Sequence, residues 1–186
     1  MILKKLTEQP KNYILLLTAI IGFVIFLLIN QLIFAPLTQT VPTYGILDFE
    51  FAWVPEQVLI IFSVWGPSGM EAQALGIYWD FLYIVGYGIF IFSCILLVSR
   101  GLDGRFQSFG LWMSLTPLIS GIFDVIENIN LLILINTAPT LPSFAPFIAS
   151  LSACIKFGLL ILGIIYFFIG LVLFITMWFK KKNKLN

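Results

Sequence analysis

Residues 77–107 read IYWDFLYIVGYGIFIFSCILLVSRGLDGRFQ. From Ile77 to Ser99 the only charged side chain is Asp80, and the run is long enough to cross hydrocarbon, which takes about 20 apolar residues in a helix. The link that follows, Ser99 to Gln107, is short and polar and contains two glycines, and it leads into a second apolar run from Ser108 to Ile135. So short a link makes the two runs antiparallel neighbours. Arg100 and Arg105 in it mark the cytoplasmic side, because cytoplasmic loops carry the excess of basic residues.

Two more runs of spanning length flank this pair, at Asn12 to Ala35 and at Phe147 to Phe179. The fold class expected is therefore all-α: a polytopic membrane protein with a four-transmembrane-helix bundle in a single domain over residues 1–186, with helices at about 12–35, 77–99, 108–135 and 147–179. Composition agrees. The chain is 60% hydrophobic and 10% charged, with a mean hydropathy of +1.05, which is more apolar surface than an ordinary soluble domain carries. The first run follows a basic start but is longer than a signal-peptide core, and Ile33 before Ala35 makes a poor cleavage site, so it reads as a retained anchor.

The formal net charge of +1 conceals an uneven distribution. Basic residues gather at Lys4, Lys5 and Lys11, at Arg100 and Arg105, and at Lys180, Lys181, Lys182 and Lys184, beside the ends of apolar runs. This puts the N- and C-termini on the cytoplasmic side, with the plasma (inner) membrane the expected location. The segments Pro36 to Gly76 and Asn136 to Pro146, which carry no Lys or Arg, then face outward.

The first outward segment is too apolar for a solvated loop. Pro55 suits a first helical turn, and Val58, Ile61, Phe62 and Trp65 recur at helical spacing, which predicts an interfacial helix at about 54–65. Asp48, Glu50 and Glu56 are expected to face water or headgroups. After Gly66 and Pro67, Ser68 and Glu71 form a capping-box pattern that starts the next helix near Gly69.

Charged side chains inside spanning helices are costly and usually face a bundle interior or a wet cavity. Lys156 lies about 10–15 Å below the outer end of its helix, and Asp124 and Glu127 reach a similar depth on theirs. Asp124, Glu127 and Asn128 share one helix face, with Ser120 a turn away; Asp80, Tyr83 and Tyr87 share another. The expected site is thus Asp80, Tyr83, Asp124, Glu127, Asn128 and Lys156, open to the outside beneath the interfacial helix. The competing reading is a lock that holds helices together. A surplus of acid over one lysine favours function, because crowded carboxylates in low dielectric retain a proton for transfer. Pro117 and Gly121 can kink the third helix and shape a cavity, while Gly86 and Gly88 suit close helix packing.

The run Gly121-Ile-Phe-Asp-Val-Ile-Glu-Asn128, with Phe49-Glu-Phe-Ala-Trp-Val-Pro-Glu56 and Asp80-Phe-Leu-Tyr83, resembles a family of small uncharacterised prokaryotic four-helix integral membrane proteins with a D-x-x-E-N motif in the third helix. That resemblance implies the four-helix fold and brings no known activity.

The absence of histidine removes the commonest general base and metal ligand, and Cys94 and Cys154 sit inside apolar runs. No cofactor, metal or nucleic-acid partner is expected. The partners expected are the lipid bilayer, an amphiphilic ligand, and a homo-oligomer or larger membrane complex. The leading expectation is binding or processing of a lipid-like or small amphiphilic molecule, with catalysis left open. A non-catalytic structural or assembly subunit and a proton-coupled carrier are the alternatives.

Overall fold

The structure, a computed structural model, describes residues 5–40 and 43–182. Lys4, Lys184 and the side chains of Lys181 and Lys182, on which part of the charge reading rests, lie outside them. The described residues are helical, with no strand among them, and hold four helices long and apolar enough to cross a membrane: Asn12–Leu37, Pro55–Arg100, Gly104–Thr137 and Ala145–Lys182.

α1 (Asn12–Leu37) is apolar on all sides, and Leu16, Leu17 and Ile20 remain exposed on the outside of the fold. At Asn30–Phe34 it widens into a π-helical turn. A short helix, α2 (Ile46–Glu50), follows, and then α3 (Pro55–Arg100). α3 bends at Gly66, whose φ of 63° and ψ of −179° no helix accommodates and a residue bearing Cβ resists. The bend separates an arm, 55–65, from the long shaft, 67–100. Pro67 opens the shaft, so Ser68 falls inside its first turn rather than at its cap and makes no side-chain hydrogen bond among the described residues. The expected capping box therefore does not form, and glycine geometry makes the break instead.

The third expected helix is two. α4 (Gly104–Met113) stops at Ser114 and Leu115, and α5 (Thr116–Thr137) restarts with Pro117 in its first turn. Proline is accommodated there because a first-turn N–H has no helical acceptor. α6 (Ala145–Lys182) runs uninterrupted for 38 residues.

α5 and α6 pack along each other, and α3 packs on α1, α5 and α6, while α1 and α6 form no substantial contact with one another. The stripe Val58, Ile61, Phe62 and Trp65 of the arm turns inward and is buried with Phe49 of α2 against Leu131 and Leu134 of α5 and Ala145 and Ala149 of α6. Each such side chain contributes about 1.5–3 kcal/mol of burial, so this cluster fixes α2 over one end of the helices. At the crossing of α1 and α3 a Cβ on Gly22 would lie 2.6 Å from the Gly86 carbonyl oxygen, which is why the helices can approach this closely. Gly88 meets nothing nearer than 4.0 Å, so its expected packing role is not required.

Candidate functional site

Lys156 lies in the upper third of α6, and its Nζ donates to Asp124 Oδ1 and Glu127 Oε1, both at 2.9 Å. These partners come from α5, three residues apart on one face, as their spacing requires. Ser120, one turn before Asp124, donates to the Lys156 carbonyl at 2.9 Å and fixes the register of the two helices. Tyr87 donates to Asp124 Oδ2 at 2.8 Å, and Asn128 donates to Asp80 Oδ2 at 2.6 Å. Asp80 therefore joins the site through Asn128 and not through the lysine. Tyr83 takes another direction, accepting from Asn30 of α1 at 3.2 Å and stacking on Phe26.

Sequence reading misplaces Glu50. Instead of facing water or headgroups, it is buried, with Oε2 at 3.5 Å from Lys156 Nζ, while Asp48 and Glu56 are exposed as expected. The cause is a clamp: Ser150 of α6 donates to the Glu50 carbonyl at 2.7 Å and accepts from the Trp53 N–H at 3.0 Å. Trp53 carries a φ of 59°, and the Val54 N–H turns back to the Ala52 carbonyl at 2.6 Å, a strained three-residue turn held by the clamp and the buried Phe49. Asn30 and Gln73 are further polar residues beyond the expected set. An adjacent amide pair, Asn30 and Gln31, in the apolar run of α1 was the available signal for Asn30; Glu50, between Phe49 and Phe51, sits where a solvated acid is out of place.

Three carboxyl groups, Glu50, Asp124 and Glu127, thus meet one ammonium, and Asp80 is tied in through Asn128. Burial pushes the Glu50 carboxyl above its usual range, against the opposing pull of the Lys156 ammonium. Glu50 Oε2 and Glu127 Oε2 are both buried without a hydrogen-bond partner. Three carboxyl groups on one ammonium are more acid than the lysine alone neutralises. Among the described residues no group of three or more His, Cys, Asp or Glu is placed to hold a metal ion; the cation among these carboxylates is the lysine itself.

The cluster forms one wall of a cavity of about 790 Å³, within the range of small-molecule sites. Polar groups line the end beneath α2: Glu50, Gln73, Asp80, Asn128 and Lys156. Aromatic and aliphatic side chains line the remainder, between Phe26 and Phe34 of α1 and Phe157 to Phe168 of α6. Because α1 and α6 do not pack together, the cavity occupies the cleft between them. Of the six expected residues, Glu127 alone stays out of its lining, behind Lys156.

Comparison with protein-family models, with curated proteins and with solved structures finds no match to this chain.

Proposed function

We propose that the chain is an integral membrane protein that crosses the bilayer four times, as a helix bundle capped by the interfacial arm of α3, and binds a lipid-like or small amphiphilic molecule in the cleft between α1 and α6. In this reading α2 and the arm lie on the outer face, the 100–105 link and the far ends of α1 and α6 lie on the cytoplasmic face, and the plasma (inner) membrane is the home of the protein. The observation that carries it is the two-part cavity, polar beneath α2 and apolar along α6. Such a division suits a molecule that is itself polar at one end. Long apolar helix faces left exposed on α1 and α6 support the bilayer setting, since soluble monomers do not present patches of that extent.

Asp124 and Glu127 hold Lys156 and a proton in this reading; Asp80, Glu50, Tyr83 and Asn128 meet the polar end of the ligand. The lock reading accounts for the lysine and its partners but not for a cavity beside them. Mass spectrometry of small molecules retained by mildly purified protein tests the proposal, with Leu160→Trp as comparison. Leu160 lines the apolar part of the cavity one turn beyond Lys156 and takes no part in the ion pairs, so tryptophan fills the space without removing a charged group. Retention of a defined amphiphile by the parent and its loss in the variant is expected. Nothing retained by either, with unchanged stability on filling the space, returns the cluster to a structural role.

A further inference from the structure

The polar end of the cavity is not neutral in what it offers. Lys156 spends its donors on Asp124 and Glu127 and keeps Glu50 at 3.5 Å, so no free cation faces an incoming head. Acceptors remain in excess. Asp80 uses Oδ2 for Asn128 and leaves Oδ1 without a hydrogen bond among the described residues. Glu50 lines the cavity with its Oε2 unsatisfied. Gln73, two helical turns before Asp80 on the same face of α3, is 4% exposed, lines the cavity, and makes no side-chain hydrogen bond among the described residues. An amide that faces the cavity with its hydrogen-bonding groups unused is open to a ligand.

The apolar part runs along two helices. Along α6 it follows Leu160, Ile164 and Phe168, and along α3 Phe90 and Cys94, so it extends about 18 Å from Lys156 to Phe168 at the helical rise per residue.

We propose that the ligand is an amphiphile with a primary ammonium head, held by Asp80, Glu50 and Gln73, its apolar part lying in the cleft between α1 and α6. The inference rests on the amphiphile reading and adds its head chemistry. An ammonium supplies three N–H donors and one positive charge, matching the unused acceptors and offsetting the acid surplus. An anionic head meets carboxylates and no free lysine.

Binding of four probes of equal chain length to the purified full chain decides it: tetradecylamine, tetradecyltrimethylammonium, tetradecanol and tetradecanoate, read by displacement and by thermal unfolding. Tetradecylamine is expected to bind at least about tenfold more tightly than the other three, and Asp80→Asn and Gln73→Leu are each expected to weaken it about tenfold, the worth of one charge-assisted hydrogen bond. Leu160→Trp is expected to abolish it. Equal binding of the trimethyl head, which has no donors, overturns the ammonium assignment, as does preference for tetradecanoate; the amphiphile reading survives either result. Failure of every probe, with Leu160→Trp indistinguishable from the parent, overturns both.

Discussion

At the scale of single residues, Lys156 is the point on which the site turns. Truncating one member of a buried ionic network leaves its partners uncompensated, so Lys156→Met is expected to cost about 3–5 kcal/mol, measured by equilibrium unfolding in detergent. Adding Asp124→Asn to that variant is expected to cost less than the sum of the separate changes, because the carboxylate no longer lacks a cation. Glu50 gives a prediction with a sign. Burial raises its carboxyl above the usual 4.5, so the folded state holds the proton more firmly than the unfolded chain does. Its contribution is complete below about 4.5 and is lost as pH rises through the folded-state value. The stability of the parent minus that of Glu50→Gln should therefore fall as pH rises from 4.5, and a flat difference would show that folding does not raise the Glu50 carboxyl.

At the scale of elements, glycines separate packing from tolerance. A Cβ on Gly22 would stand 2.6 Å from the Gly86 carbonyl and 2.9 Å from the Phe90 nitrogen, backbone atoms that cannot move without moving α3. Gly22→Val is expected to destabilise by about 1–3 kcal/mol and to prise α1 from α3. Gly158→Ala, which meets nothing within 4 Å, should be neutral or stabilising by up to about 1 kcal/mol through helix propensity. Thermal unfolding of the pair measures both. A loss from Gly158→Ala equal to that from Gly22→Val would remove the crossing as the cause.

At the scale of the whole molecule, the proposed orientation is open to labelling. In a variant with Cys94 and Cys154 replaced by alanine, a cysteine at Asp103 is expected to react only from the cytoplasmic side and one at Thr140 only from outside; the reverse pattern would invert the proposed topology. The four long helices were legible because hydropathy over spanning lengths is a property of contiguous residues, as was the meeting of Asp124, Glu127 and Lys156, which follows from helical spacing and depth. Glu50 and the split at Ser114 were not. A loop that folds back over a cavity leaves no periodic trace, and Pro117 reads the same whether it kinks a helix or begins one. The Ser150 hydroxyl gives the clamp one last consequence, for length rather than chemistry. Because one side chain grips the chain at both Glu50 and Trp53, the spacing between those two residues is a fixed measure. Homologous chains are expected to gain and lose residues in the Thr137–Leu141 turn, while insertions and deletions stay out of 50–53, where one added residue would lift the acid off its lysine.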